Sequence, residues 1–199
     1  MRKPLGKLLA LFALLTLCGS LVSPMVARAE DAPPAGVRGE ILASMMDAGG
    51  KLQELAGAFS DGKYTWKPAK DVRSTGQVFL HVVAANYMLP SLMGVKAPMG
   101  MDELMKLDSQ TMEPAKVRQM LKDSYAFAAK VITDTPDSDL ETQFEFFGQK
   151  MSKRAILLVM AVHAHEHLGQ AIAYARSNNV TPPWTAREQA AAKKAEAKK

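Results

Sequence analysis

Residues 152–179 read SKRAILLVMAVHAHEHLGQAIAYARSNN, and this stretch decides the fold. It opens at Ser152 and runs as the longest helical pattern in the chain to Asn178-Asn179, after which Pro182-Pro183 bars continuation. Ile156, Met160, Gln170 and Tyr174 fall near one line of such a helix, and His163 and His167 share that line. At about 100° per residue the two imidazoles stand about 40° apart, close enough to chelate one ion, whereas His165 points about 160° to 200° away and cannot share it. The line faces inward, so the histidines are expected in the interior of a helical assembly.

Three further helical segments lie upstream. Gly36 to about Phe59 carries Ile41, Met45, Leu52, Leu55 and Phe59 at roughly helical spacing and breaks at Ser60-Asp61-Gly62. Ser74-Thr75-Gly76-Gln77 is a capping box that opens a second helix to about Gly94, with Pro90 kinking or shortening its end. Glu113-Pro114 opens a third, which runs to about Thr133 with Val117, Met120, Leu121, Tyr125 and Ala128 as its apolar stripe and stops at Thr135-Pro136-Asp137. Residues 63–73 form a loop holding Tyr64, Trp66 and Pro68, and 95–112 a connection with a short helix around Asp102 to Leu107. Leu140 to Met151, with Phe144, Phe146, Phe147 and Gly148, fits a short hairpin or an irregular loop. No internal repeat is present. These segments predict an all-α four-helix bundle over 38–185, preceded by a linker at 30–37.

The two ends have different characters. Arg2, Lys3 and Lys7 precede an uncharged, Leu-rich run from Leu8 to Val22, Pro24 breaks it, and Ala27-Arg28-Ala29 offers a small-x-small cleavage pattern. A signal peptide over 1–29 is expected, with export to the periplasm or beyond and no stable membrane insertion after cleavage. Leu17 is too large for a lipobox ahead of Cys18, so the one cysteine leaves with the signal; thiol catalysis, haem attachment through cysteine and a four-cysteine zinc site are all excluded. At the other end, 186–199 is an Ala/Lys-rich low-complexity tail, expected as a solvated or fraying helix.

Charge follows the ends. The whole chain of 199 residues has 25 Lys and Arg against 20 Asp and Glu, but the body over 30–185 has 16 basic and 18 acidic residues, a net of −2. A nucleic-acid groove needs a clustered basic face, and this body has no such surplus.

The chemistry rests on histidine. Val78, His81, Val82 and Ala85 make an i, i+3, i+4, i+7 stripe on the second helix, so His81 also points inward. Taken alone it fits a hydrogen-bonded core histidine as well as a ligand. With His163 and His167 it completes three neutral imidazoles from two helices, a donor set for a catalytic-type ion with an open position. Zinc or nickel suits this set best, with iron, manganese or copper as further options. Glu166 and Gln170 flank the set as candidates to orient a ligand imidazole or a water, Gln170 the better aligned. His165-Glu166 is followed by His167, Leu168 and Gly169, so the zinc-protease HExxH pattern is absent, as are a phosphate loop and a nucleophile elbow. Met45-Met46 and Met99-Gly100-Met101 could serve as soft copper ligands, but methionine at helical spacing is first a core filler.

The pattern HxxxHxGQ within VHAHEHLGQ at 162–170, SxxQVFLHVVAANYMLP at 74–90, KYTWKPAKDVRS at 63–74 and the closing TPPW at 181–184 together resemble the DinB (YfiT-like) family of four-helix-bundle metalloproteins. The resemblance covers about 38–185. It implies a metal triad of one His on the second helix and two on the fourth, positions that fall on His81, His163 and His167. It also implies metal-dependent chemistry, which in several members is transfer or isomerisation with low-molecular-weight thiols; an exported chain would not ordinarily meet a cytosolic thiol.

Two functions are therefore expected to compete. One is a metal-dependent hydrolase or transferase acting on a small molecule at an open three-His site. The other is a non-catalytic metal carrier or a bundle whose ion only staples two helices. The expected partner is a small-molecule substrate, with a homodimer as an open option.

Overall fold

The four periodic segments are all helical, but the described residues hold six α-helices rather than four. The computed structural model describes residues 34–146 and 148–198; the signal peptide expected over 1–29 and Phe147 lie outside the described residues. In chain order the helices are α1 (Gly36–Ala58), α2 (Thr75–Leu92), α3 (Met101–Leu107), α4 (Pro114–Asp134), α5 (Lys153–Ser177) and α6 (Pro183–Glu196). Between α4 and α5 the open choice over 140–151 resolves to a hairpin, β1 (Gln143–Phe146) against β2 (Gln149–Ser152), antiparallel with Phe146 opposite Gln149. Gly148 takes φ +77° in its turn, a left-handed backbone that glycine adopts without a Cβ penalty.

Local chemistry explains the helix ends. At Ser74 the capping box is complete: Gln77 N–H donates to Ser74 Oγ (3.3 Å) and Ser74 N–H to Gln77 Oε1 (2.9 Å). Ser152 caps α5 by accepting from Ala155 N–H at 3.2 Å. Asn179 ends α5 in the left-handed region (φ 57°), with Val180 N–H bonded to Ala175 O and Asn179 N–H to Arg176 O, the Schellman pattern. Pro90 sits in the last turn of α2, and the helix continues past it to Leu92.

Packing joins the long helices in a closed ring: α1 lies against α4 and α5, and α2 against the same two, with α3 covering α2. Their shared core includes Met45, Leu52 and Leu55 of α1, Phe79 and Leu80 of α2, Leu121, Tyr125 and Ile132 of α4, and Ile156 and Leu157 of α5. Each such side chain contributes about 1.5–3 kcal/mol by leaving water, which makes this core the dominant stabilising element. Helix α2 is covered on three sides, so almost every residue along it is buried and its apolar stripe is broad. Helices α1 and α4 meet tightly at Gly49, where a Cβ would stand 2.5 Å from the Tyr125 ring. Between α2 and α4, buried Asn86 donates to Ser124 Oγ (3.1 Å), which donates on to Leu121 O.

The tail is helical, as its composition suggested. Its helix starts at Pro183 rather than 186, with proline at the first-turn position. Trp184 packs against the core and Arg187 grips Glu54 of α1 through two nitrogens, at 2.9 and 3.2 Å.

Candidate metal centre

His81 rises from the middle of α2, and His163 and His167 lie one turn apart on α5, where α2 and α5 pack together. One nitrogen from each falls within a group of atoms no more than 4.8 Å apart. His163 Nε2 is 3.2 Å from His81 Nε2 and 3.1 Å from His167 Nε2. A tetrahedral ion with nitrogens about 2.0–2.1 Å away spaces its ligands at about 3.3 Å, so the spacing fits one cation among the three rings.

The outer nitrogens decide which inner ones carry a lone pair. His81 Nδ1 lies 3.0 Å from Asp108 Oδ2, and a carboxylate only accepts, so the ring proton sits on Nδ1 and Nε2 is left bare. His167 Nδ1 donates to Gln170 Oε1 at 2.8 Å, which bares His167 Nε2 in the same way. Two lone pairs and the His163 nitrogen thus converge without enough protons to bridge them. A cation satisfies this donor set.

Electrostatics favour the neutral form of His163 and His81. Burial, then the neighbouring His167, His81 and Arg73, pull the His163 pKa down to about 3. Burial, Arg73 and His167 also lower His81, against the opposing pull of Asp108. Burial pushes the Asp108 carboxyl up, but hydrogen bonds from Arg73 and His81 more than offset it and leave it below the ordinary range. Neutral imidazoles beside an ionised carboxylate are the forms that bind a divalent ion.

A chain of contacts fixes the surroundings. Gln77, the second member of the capping box, donates through Nε2 to Ser109 O at 3.1 Å and so anchors the segment that follows α3. Arg73 holds Asp108 Oδ2 from Nε (2.9 Å) and Nη2 (2.7 Å). Tyr174 OH receives Gln170 Nε2 at 3.4 Å and donates to Arg73 O at 3.1 Å, while Trp66 packs edge-on against the Tyr174 ring. Tyr64 belongs to the core instead: its ring meets Phe79 and its hydroxyl donates to Ala56 O. Lys67, Arg73, Gln77, Asp108 and Gln170 line a polar opening of about 580 Å³ beside the cluster.

The structure brings His81, His163, His167 and Gln170 together, and it does not bring Glu166. Glu166 is exposed and lines a groove on the α1 side of α5 with Ile41, Ser44 and His165. His165 is also exposed, with Nε2 3.1 Å from both Ser44 Oγ and Ser44 O. Of the methionines weighed as copper ligands, Met45 is buried in the core while Met46 and Met101 are exposed. Sequence reasoning missed Asp108 and Arg73. Asp108 lies 27 positions beyond His81, just after α3, and only the fold of that connection brings it to the ring.

Residues 47–171 match the family model described as the DinB superfamily. A DinB-like protein from Bacillus cereus has the same fold with a TM-score of 0.63 at 21% identity, over 72% of this chain and 93% of that one. A second DinB-like protein, from Bacillus subtilis, matches with a TM-score of 0.57 at 18% identity, over 71% of this chain and 93% of its own. No curated protein matches the chain significantly.

Proposed function

The chain belongs to the DinB superfamily, and from that footing we propose that it is an exported protein that holds a divalent metal ion on His81, His163 and His167 and acts on a small molecule at the ion's open position. One observation carries this reading: three inner imidazole nitrogens converge while Asp108 and Gln170 hold the outer protons of His81 and His167. Three protein ligands leave room for a fourth, the arrangement of catalytic rather than structural zinc sites. Zinc or nickel suits an all-imidazole set. When bound, such an ion supplies Lewis acidity and lowers the pKa of a coordinated water.

The protein's own residues supply orientation. Asp108 fixes the tautomer and plane of His81, and Gln170 those of His167. Arg73 neutralises the Asp108 charge, and Lys67, Gln77 and Gln170 line an opening that shares Asp108 with the cluster. Export is supported by the basic, Leu-rich and Ala27-Arg28-Ala29 segments in succession.

Elemental analysis of the protein purified from the exported fraction tests the reading. Close to one divalent ion per chain is expected, retained in His165→Ala and lost in His81→Ala, His163→Ala and His167→Ala. Mass spectrometry of the same sample should find Glu30 at the N-terminus. Full metal in His81→Ala, or loss confined to His165→Ala, would overturn the ligand set; a mature chain beginning at Met1 would overturn export.

A further inference from the structure

A second recess, of about 260 Å³, opens against His81 and His163. Its walls follow from helix periodicity. Ala84 and Ala85 stand three and four positions after His81 and Met88 seven after it, so they continue the His81 face of α2. Val159 stands four positions before His163 and extends the His163 face of α5 in the same direction. Leu104 and Met105 of α3 close the far side. Two alanines sit where larger side chains would fill the space.

Apart from His81 and His163 themselves, Asp108 is the one polar residue lining this recess. Its Oδ2 already accepts from His81 and Arg73. A polar group lying against Ala84, Ala85, Met88, Leu104 and Val159 would lose water without a partner, whereas an apolar group there would gain. The opening lined by Lys67, Arg73, Gln77 and Gln170 also borders Asp108 and has mostly polar and charged lining residues.

We propose that the recess formed by Ala84, Ala85, Met88, Leu104 and Val159 binds the apolar part of a small amphiphile whose polar end reaches the metal position between His81 and His163. The inference rests on the metal reading above and adds the ligand class: a short aliphatic or aromatic chain carrying a metal-seeking polar head. The recess sets an upper length, and Met105, which is 66% exposed, stands at its mouth.

Straight-chain alkyl hydroxamates test this on the cobalt-substituted full mature chain, with the visible cobalt spectrum as readout. Affinity should rise about two- to fourfold per methylene from acetohydroxamate upward, then level off before the dodecano compound as the recess fills. Val159→Phe should remove the gain with chain length. Met88→Ala should move the levelling point to longer chains, and Leu158→Ala, on the α1 side, should change nothing. The wild-type series decides the matter even if a variant fails to fold. Binding of acetohydroxamate with no gain along the series overturns the apolar recess and leaves the metal reading standing. Failure to take up cobalt, or to bind any hydroxamate, overturns both.

Discussion

His81 presents Nε2 to the cluster because Asp108 keeps its proton on Nδ1. An imidazole without that partner spends part of its time in the other tautomer, with a proton where the ion should be. Asp108→Ala is therefore expected to weaken metal binding about tenfold to a hundredfold, with Asp108→Asn falling between, since an amide oxygen still accepts but lacks the charge. Competition against a chromogenic chelator measures this, and unchanged affinity in Asp108→Ala would show that His81 is oriented by packing alone. The three histidines and Gln170 were legible in the sequence because spacing along each helix fixes direction. Asp108 was not, because its approach to His81 depends on α3 folding over α2 and on Gln77 gripping Ser109, neither of which leaves a periodic trace. Glu166 shows the converse hazard. It sits next to His167 in sequence, and about 100° of helical turn is enough to carry it to the exposed side.

Helices α1, α2, α4 and α5 were legible for the same reason, and their ends coincide with chemistry visible in the residues: the Ser74-Gln77 box, proline at the start of α4, the paired asparagines closing α5. The hairpin over 143–152 was not decided, since its burial alternates over one strand only and four-residue strands give periodicity little to act on. The contact between α1 and α4 was also hidden, because nothing in the sequence pairs Gly49 with Tyr125. Gly49→Ala tests how tightly those helices are set. Alanine raises helix propensity by about 0.8–1.0 kcal/mol, but its Cβ must displace a fully buried tyrosine ring, and overpacking of this kind costs about 1–3 kcal/mol. The steric term should win, so chemical denaturation is expected to show net destabilisation. Gly50→Ala, whose Cβ meets nothing within 4 Å, should instead be stabilising. Stabilisation at both positions would mean that the α1–α4 spacing relaxes freely.

At the scale of the molecule the question is whether the proposed ion would build the fold or only occupy it. The ring of four long helices buries its core without help from the histidines, which sit at one edge of the α2–α5 contact with His163 and His81 only part-buried. A zinc finger, by contrast, has too little core to fold before its metal binds. The chelated protein is therefore expected to stay helical and to unfold cooperatively, with metal adding stability by linkage alone, about 2.7 kcal/mol at a free concentration a hundredfold above the dissociation constant. Acid should expose the cost of the empty cluster. The His163 pKa stands at about 3 in the fold, pulled down by burial and by facing His167, His81 and Arg73, while an unfolded histidine titrates near its ordinary value of 6.5. Between those values the unfolded chain binds the extra proton, so stability is complete above about pH 6.5 and falls as pH drops toward 3. His81 and Asp108, both lowered, act in the same direction, Asp108 only at the acid end. Thermal melts of the chelated protein from pH 7 to pH 4 should show a falling midpoint, and His163→Leu should flatten that fall. If chelation at pH 7 instead abolishes the cooperative transition, the ion is a staple between α2 and α5, and the open-site reading gives way to the structural one.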